Sequence, residues 1–266
     1  MKIAHTVAKD GCRIAYRKWG NPNPRARIAL VHSLAMDGAF WTETIQALGS
    51  DFEVLAIDCR GHGQSEKVDG PYKIDTFADD LLAVMDNAGW VSATIAGASM
   101  GGCVALAFAA RHPERCSALG LIDTTATYGE GAAVAWESRA QKALSSGMGA
   151  LVDFQRERWF SDQFRAAHPD RVEAAIEIFL ANDTSAFAET CRMLGNVDLS
   201  SALCSFSMPT EIIVGEEDHA TPPEMAEAMM LAIPGAKMQV LANVRHLTPL
   251  EVPEKIADTL RHLTRN

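Results

Sequence analysis

The sequence has no long apolar run. No stretch of its 266 residues approaches the ~18 consecutive apolar residues that a membrane-spanning helix needs. The opening MKIAHTVAKDGCRIAY also lacks the continuous apolar core of a signal peptide. Both absences predict a cytoplasmic protein with no membrane partner. Cysteine is sparse: Cys12, Cys59, Cys103, Cys116, Cys191 and Cys204 follow neither a zinc-site nor a disulfide spacing, so reduced thiols and no bound metal are expected. Positive charge is short too. Lys and Arg total 24 against 34 Asp and Glu, a net charge of −10 without a basic cluster. That argues against nucleic acid as the main partner. Repeats and low-complexity tracts are missing as well. What remains is an ordinary globular balance, 48% hydrophobic and 22% charged, in a chain long enough for one large α/β domain or a core with an insertion.

Two alternating stretches, Lys2–Val7 and Cys12–Trp19, flank AKDG and read as an antiparallel hairpin. RIALVHS then reads as a buried strand, FWTETIQALG as a short helix and FEVLAIDCRG as another strand. Apolar residues at Ile74, Phe77, Leu81, Leu82 and Met85 give helical spacing over 74–89. ATIAGAS, a helix from Gly101 to Arg111, and CSALGLID continue the alternation. Buried strands alternating with helices predict a mostly parallel central sheet covered on both faces. From about Thr124 to Leu203 helical signals dominate; after Pro209 the strand–helix pattern returns with TEIIVG, 223–233, KMQVLA and 253–263. The expected organisation is a core of residues 1–123 and 203–266 with residues 124–202 inserted as a helical cap. A plain connecting region packed on the side of the sheet is the alternative.

The chemistry is sought in GASMGG, residues 97–102. A strand precedes it and a helix follows, the context in which G-x-S-x-G exposes a serine oxygen on a tight turn. Ser99 is thus the candidate nucleophile. Gly97 and Gly101 would allow close strand–helix approach, and the helix N-terminus would supply N–H groups where negative charge develops. A serine hydroxyl needs a positioned base. His246 lies after one predicted strand, and Asp218 lies after another at the same sheet edge. The order Ser99, Asp218, His246 suits a hydrolase built on a strand–turn–helix nucleophile, with Asp218 orienting the imidazole. Rival acids are Glu216, Glu217 and Asp123. His32 and His62 read as structural, His112 and His168 as surface residues before prolines. The backbone N–H groups of Met100 and Leu34 are the candidate oxyanion donors; Ser33 stands where such loops often carry glycine.

With these residues in place, the whole chain resembles the α/β-hydrolases. VHSLAMDGAFW, IDCRGHGQSEK, GASMGG, VGEEDHATPP and RHLTPLEVPE occur in the order of that family. Among its members the sequence is most similar to the 3-oxoadipate enol-lactonases, through HSLAMD followed by Trp41, GPYKID, SMGG, WESRA, RWF and DHATP. Departures are Ala98 before the serine, Cys59 in DCRG, and Arg245 before the histidine. The resemblance implies an α/β-hydrolase fold and a cofactor-free serine hydrolase that opens a small carboxylate-bearing lactone or ester. Carbon–carbon bond hydrolases, carboxylesterases and perhydrolases share most of these segments. A dehalogenase or epoxide hydrolase would carry a carboxylate in place of Ser99. A ligand receptor on the same fold is the rival of another class, and a homo-oligomer is left open.

A carboxylate-bearing substrate approaching a chain of this charge needs a local cation. Trp136 and Arg139 stand at i and i+3, on one helical face, in the segment shared with the lactonases. Arg139 is the candidate carboxylate fork, and Trp136 and Trp159 are candidate pocket walls. The alternatives are an exposed Arg139 paired with a neighbouring acid and tryptophans that fill the cap's own core.

Overall fold

The structure, a computed structural model, describes residues 2–21 and 23–265. Eight strands form one sheet: β1 (Lys2–Val7), β2 (Arg13–Gly20), β3 (Ala26–Val31), β4 (Phe52–Ile57), β5 (Ala93–Ala98), β6 (Cys116–Ile122), β7 (Thr210–Gly215) and β8 (Lys237–Leu241). Their order is β1-β2-β4-β3-β5-β6-β7-β8. The pairs β1–β2 and β2–β4 are antiparallel and all others parallel. Every residue of β4 and β5 is buried, as the largely apolar central strands of a sheet covered on both faces must be.

Helix Thr42–Leu48 packs on helix Pro253–Leu263, and helix Ile74–Asn87 on helix Met100–Arg111. The chain turns from β3 to β4 on one side and then crosses back to β5 on the other side of β3. With right-handed crossovers, the connections leaving β3 and β5 depart to opposite faces. A crevice opens between their carboxyl ends, where open α/β sheets place ligands. Leu34 follows β3 and Ser99 follows β5, so the topology alone brings both to that crevice.

Five helices separate β6 from β7: Ala132–Ser146, Val152–Trp159, Asp162–Ala167, Pro169–Leu180 and Thr184–Gly195. The first packs along the last. An antiparallel bridge between Thr127 and Asp198, and a bond from Leu199 N to Ala126 O at 2.9 Å, join the departing and returning chain. Two of these five helices differ from the sequence reading. ALVDFQRERWF divides into a 3₁₀ turn at Met148–Leu151 and the helix Val152–Trp159. Helix Asp162–Ala167 was not anticipated; its six residues are too few for a periodic signal, and the Ser161 hydroxyl caps it by accepting from Phe164 N. No helix among the described residues is long and apolar enough to cross a membrane.

Candidate active site

Ser99 sits between β5 and helix Met100–Arg111 with φ 53° and ψ −117°, a left-handed backbone that strains any side-chain-bearing residue. The surrounding glycines permit it. A Cβ on Gly97 would collide with the Gly101 carbonyl, and one on Gly101 with the Val31 carbonyl. The turn is pinned by Ser99 N donating to Ile122 O at 2.9 Å and by Thr124 Oγ1 donating to Ser99 O at 2.6 Å. Its side chain meets His246, whose Nε2 lies 2.9 Å from Ser99 Oγ. On the other side of the ring, His246 Nδ1 lies 2.7 Å from Asp218 Oδ2. Asp218 Oδ1 accepts the amides of Ala220 and Thr221 at 2.7 and 2.9 Å, and Oδ2 accepts the Thr221 hydroxyl at 3.0 Å. Burial works to raise the Asp218 pKa. The charge and hydrogen bond of His246, with the two amides, outweigh it and hold the carboxyl below its ordinary value.

Asp123 does not reach His246. Its Oδ2 accepts Thr248 N at 2.9 Å and Thr248 Oγ1 at 2.7 Å, and its Oδ1 accepts Gly215 N at 3.2 Å. It therefore ties the end of the strand before Asp218 to the loop after His246. Burial, then repulsion by Asp218, pushes its carboxyl well above the ordinary range. Glu216 accepts from Asn243 N, and Glu217 pairs with Arg245.

Leu34 lines the cleft above Ser99, and Met100 begins the helix behind it. Among the described residues neither backbone N–H has a hydrogen-bond partner; the helix's first bonds are those of Gly102 N and Cys103 N to Ser99 O. Two amides are thus free beside the serine oxygen. Ser33, where glycine is common, also lines the cleft. The loop rests on His32, whose Nδ1 contacts Ser33 O at 2.7 Å while Nε2 accepts Cys59 N at 3.0 Å.

His32 packs on His62 with ring centroids 5.2 Å apart. Burial pushes His32 down to about 4, and burial with the His32 charge pushes His62 down to about 3. Both stay neutral in the fold where the unfolded chain, with ordinary histidines near 6.5, takes up protons. Their contribution to stability is therefore whole above about pH 6.5 and falls as the pH drops toward 4. Replacing His62 with Asn should flatten the acid loss of unfolding free energy by about 1.4 kcal/mol per pH unit between about pH 6 and 5. Urea midpoints across that range test this, and equal slopes in both proteins would refute it.

The cleft is walled by Trp136, Arg139, Gln155, Arg158 and Trp159 from the inserted helices, and by Tyr128 and Thr221. Trp136 meets Tyr128 edge-on at 5.1 Å, and Trp159 meets Phe179 edge-on at 5.4 Å. Both tryptophans therefore fill space among the inserted segments and also face the cleft. Among the described residues Arg139 is paired with no acid: its guanidinium stacks at 4.3 Å over Trp136 and 4.9 Å over Phe154. Burial and the charge of Arg158 bring it down to about 10, so it remains a cation at neutral pH.

Arg158, Gln155 and Tyr128 were not singled out from sequence. Arg158 stands beside Trp159 in RWF, but neighbouring helical positions sit about 100° apart, so periodicity gives no reason to place both in one cleft. Their common location follows from how the segment is fastened. Trp159 O accepts His246 N and Leu247 N, both at 3.1 Å. Arg245 donates to Glu157 O at 2.7 Å and Phe160 O at 3.0 Å. Glu251 accepts Ser161 Oγ at 2.5 Å and Arg245 N at 2.9 Å. Arg245, one of the three departures from the family's pattern, thus clamps residues 157–161 against the loop that carries His246.

The family described as alpha/beta hydrolase fold matches residues 27–253 of this chain. The chain belongs to the α/β-hydrolase family. Within that family it is 28% identical to 3-oxoadipate enol-lactonase 2 of Acinetobacter baylyi over 249 residues, 94% of this chain and 92% of that protein. It is 29% identical to a pimeloyl-[acyl-carrier protein] methyl ester esterase of Vibrio atlanticus, across 82% of this chain and 86% of the relative. The crystal structure of the enol-lactonase from Burkholderia xenovorans LB400 superposes with a TM-score of 0.93 at 31% identity, covering 99% of this chain and all of that one. This α/β-hydrolase is therefore a hydrolase-family enzyme with relatives named for lactone and ester cleavage.

Proposed function

We propose that this α/β-hydrolase is a serine hydrolase that opens a small carboxylate-bearing lactone or ester, 3-oxoadipate enol-lactone in the first instance. The observation that carries the reading is the hydrogen-bonded series Asp218–His246–Ser99 beneath a cleft holding arginines that pair with no acid among the described residues. Ser99 Oγ attacks the carbonyl carbon as His246 Nε2 takes its proton, and the Asp218 carboxylate stabilises the imidazolium. The Leu34 and Met100 amides receive the oxyanion. Collapse breaks the ring C–O bond, with His246 returning the proton to the leaving oxygen, and leaves an acyl group on Ser99. A water that gives its proton to His246 then attacks the acyl carbon, freeing Ser99 and a carboxylate. Residues 124–202 act as the lid that supplies the substrate contacts, over a core of residues 1–123 and 203–266. The named relatives support this substrate class.

Arg139 sets the substrate preference in this reading, by pairing with the substrate carboxylate. Arg139→Ala should weaken kcat/KM for the carboxylate-bearing lactone by about 2–3 kcal/mol, the scale of a hydrogen bond to a charged group. A neutral aryl ester of similar size should hardly change. Parallel rate measurements decide: equal losses on both substrates would make Arg139 a structural residue, and no loss on either would remove it from the site.

A further inference from the structure

We propose that the cleft is built to hold two negative charges, with Arg158 as its second anion-binding residue, so that short dicarboxylates bind it in competition with substrate. The inference takes from the proposed function only where a second carboxylate would arise; the binding itself rests on the charge of the cleft.

Elsewhere in this acidic chain, partly buried arginines are neutralised. Arg17 pairs with Asp37 and Asp58, Arg60 with Asp10 and Asp80, Arg192 with Glu137 and Glu189, and Arg245 with Asp162 and Glu217. Arg139 and Arg158 break that habit. Among the described residues no carboxylate oxygen lies within ion-pair distance of either, although both line the cleft. Arg139 stacks over Trp136 and Phe154, and Arg158 stacks at 5.4 Å over the same Phe154. Stacking uses the guanidinium face and leaves the in-plane N–H donors for ligand. Arg158 spends one of its donors on Ala220 O, at 3.3 Å; Arg139 donates to no described residue. Gln155, 2% exposed, also lines this space, but its Oε1 is an acceptor and adds nothing to the hold on an anion. The two guanidinium groups are arranged for a guest.

The two arginines are neighbours over the Phe154 ring and extend from it to different sides. Arg158 is beside Ala220 and within the field of Asp218, near the His246 end, while Arg139 belongs to the Trp136–Tyr128 end. A substrate with one carboxylate neutralises one cation and leaves the other unpaired in the cleft that Ser99 lines. Hydrolysis then changes the balance. Water adds across the C–O bond, the acyl carbon becomes a carboxylate, the leaving oxygen keeps a hydrogen, and one proton is released to solvent. When the substrate is a lactone, both carboxylates remain on one molecule, and a charge of −2 faces a charge of +2. Product should bind more tightly than substrate.

The test titrates the full-length wild-type protein calorimetrically with adipate and with adipic acid monoamide, which matches its length but carries one charge. Adipate should bind about ten- to a hundredfold more tightly, the scale of one charge-assisted pair. Arg158→Gln and Arg139→Gln should each bring that ratio close to one, and Arg158→Lys should retain much of it. Raising salt should shrink the ratio. A wild-type ratio near one would overturn the proposal without recourse to any variant, and so would an unchanged ratio in a folded Arg158→Gln protein. If adipate binds as expected but no carboxylate-bearing lactone is opened, the substrate assignment fails and the dianion site stands. If the lactone is opened while adipate and the monoamide bind alike, the reverse holds.

Discussion

Ser99→Ala is expected to lower turnover by about 10⁴–10⁶, the scale of removing one member of a group that acts as a unit. The substitution deletes one hydroxyl, whose partner is His246 Nε2 at 2.9 Å. The strained turn that carries it is held by backbone and by Thr124, so the fold should persist. Residual rate would come from the two free amides and from binding. Initial rates with an activated ester, alongside circular dichroism, make the measurement. A folded variant with near-normal turnover would remove Ser99 from the chemistry.

Asp218→Asn should lower kcat by about 10⁴ while leaving stability nearly intact. An amide in this position can present its NH₂ to His246 Nδ1, favouring the tautomer that has a proton on Nε2 and cannot take one from Ser99. The near-isosteric side chain can still accept the Ala220 and Thr221 amides. Asp123 is the informative control. It is fully buried and is bonded to Thr248 and Gly215 rather than to the imidazole, so Asp123→Asn should cost far less in kcat. Comparable losses from the two variants would mean that the acid role is shared, and a larger loss from Asp123 would reverse the assignment.

The strands of the sheet were legible in the sequence because a covered parallel sheet demands uninterrupted apolar runs, and ATIAGA and TEIIVG fall within one residue of their observed bounds. Ser99, Asp218 and His246 meet because each follows a strand, β5, β7 and β8, and the carboxyl ends of parallel strands share one edge of the sheet. The walls of the cleft were not legible. Trp136 and Arg139 could be placed on one face by the period of their helix. Arg158 could not, since the position of its segment depends on hydrogen bonds donated by Arg245 and His246 and accepted by Glu251, some 90 residues further along the chain. Asp123 shows the same limit. It occupies a strand end suited to an acid, but the Thr248 amide and hydroxyl claim its oxygens, and only the packed loops reveal that.

The measurement that bears most directly on the proposed activity compares kcat/KM for 3-oxoadipate enol-lactone, a neutral aryl ester and a ring-cleavage diketone under identical conditions. A carboxylate gripped by Arg139 should favour the lactone over the neutral ester by about 30- to 150-fold, the equivalent of about 2–3 kcal/mol, with the diketone cleaved most slowly. A preference for the diketone, or equal rates on the neutral ester and the lactone, would contradict a lactonase whose specificity rests on substrate charge.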